Sequence, residues 1–259
     1  MSFLPSIMNF MPSLDWLRGP SQPSGPFTPT YEDVCRARAL LKALQLPTEL
    51  VLDILEHARY WPINEFNTVP NRHIVAASRG GRPSAATLCL DAGIFNNPTV
   101  NAIRAGGERP RIKSVEFDIV SHDQGHTSEG TEGTFTTSSW LEVSILRNET
   151  NSIYRLPGPR LVNTWISSPL DFHTNMVGRG WFLVSRPKSA QQGPQDGEGD
   201  LSWYLQGNRV TAGREKYRVI WTDDGSEGNE GAGRGDDFVQ ELTDGDRLII
   251  WARAKVRTD

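Results

Sequence analysis

Arg111-Ile112-Lys113-Ser114-Val115-Glu116-Phe117-Asp118-Ile119-Val120 is the stretch where the chain changes its hydrophobic period from helical to two. Ile112, Val115, Phe117 and Ile119 mark a strand over 112–120, the last three at the spacing of two that puts side chains on one face of an extended chain. Phe135 to Arg147 alternates again, with Trp140, Leu141, Val143 and Ile145 inside it. Further β-rich runs are Leu161–Ser167, Gly180–Ser185, Leu201–Gln206, Tyr217–Thr222 and Arg247–Val256, with Gly, Pro, Ser and Asp clusters between them. No helix of ten or more residues is visible among these runs, which argues against a βαβ sheet. The pattern predicts a mainly β domain over 111–259, an antiparallel β-sandwich of jelly-roll or galactose-binding-like type.

Upstream the period is helical. Thr30 and Asp33 have capping-box spacing, and Val34, Ala37, Leu40, Leu41 and Leu44 follow on one face, so 31–45 is read as an amphipathic helix. Leu46-Pro47 breaks it, and Leu50, Val51, Ile54, Leu55 and Ala58 give a second helix over 47–59, closed by Tyr60-Trp61-Pro62. Residues 1–30 read as a flexible N-terminal segment, with a Pro/Gly-rich linker over 18–30. The helical segment spans 31–62. The stretch 63–110 reads as an irregular connection holding a short strand or helical turn, with Ala85–Leu90 and Thr99–Arg104 as its candidate pieces.

Composition excludes several classes. The chain has 259 residues, 37% of them hydrophobic and 22% charged, a globular balance. A net charge of −4 offers no bulk positive field for nucleic acid or anionic lipid. Two cysteines cannot make a disulfide framework. No apolar run has the ~18 residues of a membrane helix. Met1 to Leu17, broken by Pro5, Pro12 and Asp15, is a poor signal peptide, so a cytoplasmic or nuclear location is expected.

Leu46-Pro47-Thr48-Glu49-Leu50 followed by Ile54-Leu55 resembles the opening helix of the F-box, whose pattern is LPxELxxxIL. The resemblance covers about 15 residues and implies docking of Leu46, Pro47, Leu50, Ile54 and Leu55 on a Skp-type adaptor of a cullin ubiquitin ligase. A second resemblance spans most of 46–256. Tyr60-Trp61-Pro62, Ser121-His122-Asp123-Gln124-Gly125, Trp181 and Gly245-Asp246-Arg247 leading to Trp251-Ala252-Arg253-Ala254 are similar to an uncharacterised fungal family. The chain departs from that family at His126, where a tryptophan is usual.

The candidate ligand-binding residues are His122, Asp123, Gln124, His126, His173 and Trp181, at a polar rim where a lectin-like sandwich would hold a glycan, peptide or small molecule. Against this stands a structural turn, in which Asp123 accepts turn N–H groups. Asp123 and Asp246 are both expected to act as caps rather than acids. No metal site and no cofactor are expected: the histidines lack a regular element, and the acidic loop 223–237 fails the EF-hand order. Gly231-Ala232-Gly233-Arg234-Gly235 lacks the βαβ setting of a phosphate loop. The strand tryptophans are expected in the core, one or two of them free to act as a stacking platform. Loops 187–200 and 223–237 are expected to be mobile. These residues point to a binding module, an F-box-like substrate-recognition subunit, rather than an enzyme. The alternative is a small-molecule-processing enzyme or carrier with a pocket near His122.

Overall fold

The computed structural model describes residues 27–68, 74–76, 84–123, 130–149, 165–166, 168–193 and 199–255. They fall into two units, one from 27–66 with 96–110, the other from the remainder. Gln124, His126, most of the run 161–167 and nearly all of the N-terminal segment lie outside the described residues.

The first unit is helical. Helix α1, Tyr31–Ala43, begins with the expected capping box: the Asp33 N–H donates to Thr30 Oγ1 at 3.2 Å, and the Thr30 N–H to Asp33 Oδ2 at 3.0 Å. Gln45 takes a left-handed φ of 61°, and Pro47 then caps α2, Thr48–His57. Helix α3, Pro98–Ala105, starts at Asn97, whose side chain accepts from the Val100 N–H at 2.9 Å. Arg38 on α1 reaches Glu108, just past α3, at 2.6 Å.

The second unit is built on two antiparallel sheets. The larger is formed by β1 (Ser84–Ala92), β3 (Ser139–Asn148), β4 (Trp165–Ile166), β5 (Trp181–Leu183), β6 (Trp203–Gly207) and β9 (Arg247–Lys255). Its order is β4-β1-β9-β3-β5, with β6 also paired to β3. The smaller sheet, β2-β7-β8, consists of β2 (Ser114–Ser121), β7 (Glu215–Thr222) and β8 (Ser226–Gly228). The mainly β, antiparallel expectation therefore holds. The stretch 63–110 divides instead of simply connecting: β1 joins the large sheet beside β9, and α3 joins the helices.

Strands β2 and β7 alternate in burial, with one wet face. In β3, by contrast, Ser139 to Leu146 are all buried, so both faces of that strand are covered. Helix α4, Pro169–Val177, lies in the cluster that covers one face, with Phe172 edge-on to Trp251 at 5.0 Å and Met176, Trp181 and Leu183 around them. The short helix α5, Phe238–Glu241, supplies Phe238, which packs edge-on against Trp203 of one sheet and Trp221 of the other at 5.1 and 4.8 Å.

Loop 223–237 divides: residues 224–230 are exposed, as the sequence suggests, whereas 231–236 pack against the strands. It contains β8, and the polar tips of buried aromatics hold residues 231–236. The Trp221 indole N–H donates to the Gly233 carbonyl at 2.8 Å, that of Trp203 to Asp236 at 2.9 Å, and the Tyr204 hydroxyl to Gly231 at 3.0 Å. A Cβ on Gly231, Gly233 or Gly235 would overlap Phe135, the Tyr204 carbonyl or the Trp221 ring. The glycine run exists for close packing.

Candidate functional site at the end of β2

Pairing of Ser121 with Glu215 brings the end of β2 beside the start of β7, and the connection between β6 and β7 reaches Asp123 through the Thr211 N–H and the Tyr217 hydroxyl through the Arg209 N–H. Asp123 is 4% exposed at this rim. Its Oδ1 accepts from the Ser139 hydroxyl at 2.6 Å and the Thr137 hydroxyl at 3.4 Å, and Oδ2 from the Thr211 N–H at 3.2 Å. Asn208 extends the network, donating to Ser139 Oγ at 3.0 Å and accepting from Ser121 Oγ at 2.5 Å. Thr211 itself has φ 59°, a left-handed turn that the carboxylate pins. This is the geometry of a loop cap.

Beside it opens a depression of about 290 Å³, lined by Phe135, Arg209, Glu215, Lys216, Tyr217, Asn229 and Glu230. The Arg209 guanidinium lies 5.1 Å from the centre of the Phe135 ring and 3.4 Å from Glu215. Tyr217 donates to Glu215 Oε2 at 2.6 Å; burial, and then that bond, push its phenol up to about 12. Sequence reasoning missed this group. Glu215 and Tyr217 share a face by strand alternation, a legible signal, whereas Arg209 arrives from a loop with no periodicity to announce it.

The other candidates are dispersed. His122 Nδ1 lies 2.7 Å from the Asp123 carbonyl, which can only accept, so that nitrogen carries the proton. His173 is on α4, where its Nδ1 accepts from the Leu183 N–H at 3.2 Å. Trp181 is 6% exposed in the core around α4, and Trp140, Trp203, Trp221 and Trp251 are buried too, so none of these five offers a stacking platform. Among the described residues no three His, Cys, Asp or Glu gather as metal ligands.

The GDR…WARA segment is a set of cross-strand anchors. Arg147 grips Asp246 through two bonds of 2.9 and 2.8 Å, and Asp246 Oδ2 also caps the turn by accepting from the Thr243 N–H at 2.8 Å. Asp246 raises the Arg147 pKa. Arg247 pairs with Asp91 at 2.9 and 2.5 Å, while the Trp251 indole donates to Ser144 at 3.0 Å. Arg253, fully buried, donates to Glu142 at 2.8 Å; Glu142 also accepts from Trp140 at 2.7 Å and Ser202 at 2.9 Å.

In the helical unit, Leu50 and Ile54 are 49% and 44% exposed, whereas Val51 and Leu55 of the same helix are buried. Leu46 is half-buried and Pro47 exposed. Of the ten exposed large hydrophobics among the described residues, Phe27, Leu40, Leu44, Leu50, Leu52, Ile54 and Ile63 belong to this unit. The exposed apolar side chains are thus concentrated in this unit. No described helix is long and apolar enough to cross a membrane. No protein-family model, curated protein or solved structure matches the chain.

Proposed function

We propose that the chain is a binding module in which α2 docks on a protein partner, a Skp-type adaptor, while the β unit receives the recognised molecule. The observation that carries the reading is the split face of α2. Val51 and Leu55 serve the fold, and Leu50 and Ile54, one turn apart in the LPxELxxxIL pattern, stand in solvent as a helix-in-groove mode requires. An apolar patch that a monomer leaves uncovered in this way marks an interaction surface.

A lectin-like sandwich is the arrangement we propose for the two sheets; the Trp203–Phe238–Trp221 stack linking them supports it. The reading favours binding over processing. His122 and His173 are both engaged with main-chain groups, and the Asp123 carboxylate is held by hydroxyls and an N–H. The test is co-purification of the full chain with a Skp-type adaptor under native conditions. Leu50→Asp with Ile54→Asp is expected to abolish association. Failure of the unmutated chain to associate would defeat the proposal.

A further inference from the structure

The edge of the small sheet carries an inference beyond the adaptor reading. In β7 the Thr222 N–H donates to the Gly225 carbonyl, the Arg218 N–H to the Asn229 side chain, and the Asn229 N–H to the Arg218 carbonyl. Even-numbered residues of β7 therefore direct their backbone groups towards β8, and odd-numbered ones towards β2. The register Ser114↔Thr222 to Ser121↔Glu215 carries this across. Ser114, Glu116, Asp118 and Val120 of β2 must point their N–H and C=O groups away from β7, along an edge that pairs with nothing among the described residues. Glu116 and Asp118 are exposed on the wet face of that edge, and Phe117 and Ile119 lie on the buried face.

We infer that β2 is a strand-addition site for an extended peptide with basic residues at alternate positions. An antiparallel guest places each residue that bonds to Glu116 or Asp118 directly opposite it, with both side chains on one face. Lysine or arginine there meets a carboxylate, and the intervening apolar residues fall on the side of Phe117 and Ile119. Arg218, 2.6 Å from Glu116 and cross-strand from Asp118, and Lys216, opposite Val120, belong to the inner strand, so the edge strand itself is acidic on this face. A second copy of β2 is the poorer occupant, because Glu116 and Asp118 would face their own carboxylates.

The inference rests on the binding reading only for its biological use, and its test does not involve the adaptor. The probe is a labelled eight-residue alternating Lys/Val peptide, with a Glu/Val peptide as control, titrated against the full chain by fluorescence anisotropy. The Lys/Val peptide is expected to bind and the control not. N-methylation of the lysine amides should abolish binding, whereas N-methylation of the valine amides, which point away from β2, should spare it. The amide protons of Glu116 and Asp118 should gain protection from hydrogen exchange. Glu116→Lys with Asp118→Lys should weaken binding about tenfold; the methylated peptides keep the test decisive should that variant misfold. Indifference to the methylation pattern, equal binding of the Glu/Val peptide, or protection that appears only as the chain self-associates would overturn the inference.

Discussion

Asp123 shows how a residue suggestive of chemistry can serve a loop. Its carboxylate accepts from two hydroxyls and the Thr211 N–H in a site closed to solvent. Asp123→Ala should destabilise the fold by about 1–3 kcal/mol for each donor left unpaired, read as a lowered Tm, and Asp123→Asn should lose clearly less because an acceptor remains. Full stability of Asp123→Ala would refute the cap. Glu142 is the harsher case: Glu142→Ala removes the carboxylate that pairs with the buried Arg253 guanidinium and should lower stability by roughly 3–5 kcal/mol in urea unfolding. Gly233→Ala should damage folding as well, since the new methyl meets the Tyr204 carbonyl and not a side chain that could turn aside.

At the scale of elements, α2 divides its leucines and isoleucine between two tasks. Leu50→Asp and Ile54→Asp place charge on exposed positions and should move stability by no more than about 0.5 kcal/mol, whereas Val51→Asp should unfold the helical unit. Circular dichroism melts separate the outcomes; equal damage from the exposed pair would show that its face is internal. Strand β3 marks the limit of pattern reading. Its run from Ser139 to Leu146 is buried on both sides, and periodicity cannot say that α4 would cover a face when Pro169–Val177 is only nine residues long. The packed part of loop 223–237, residues 231–236, escaped for a related reason. Glycine and acid read as solvated, and the indole N–H groups that hold it come from strands that the loop's own composition does not reveal.

For the whole molecule, alkaline pH offers a readout of both units. Tyr217 is pushed up to about 12 chiefly by burial, Tyr31 to about 12 chiefly by its bond with Cys35, and burial raises Tyr204 as well. A phenol whose pKa is higher folded than unfolded contributes stability that is complete below pH ~10 and is lost as pH climbs through its folded value. Tyrosinate absorbance should therefore show Tyr31, Tyr204 and Tyr217 titrating late, with stability falling between pH ~10 and 12. Tyr217→Phe should remove one late step and leave the other two. Ionisation of Tyr204 and Tyr217 near pH ~10 would show that their burial is absent in solution.

By itself the sequence determined what depends on neighbours along the chain. The Thr30–Asp33 cap, the helix at Leu50, the alternation of β2 and β7 and the strand placement of Trp140, Trp181, Trp203, Trp221 and Trp251 were all legible, because caps and periods are local physics. Only the tertiary structure decided where those parts meet. It set β1 against β9, brought Arg209 over Phe135, closed Ser139 and Asn208 around Asp123, and left the outer edge of β2 with no strand among the described residues. These outcomes join residues far apart along the chain. Such pairings come from packing and from satisfying buried polar groups in three dimensions, and neither leaves a period in the chain.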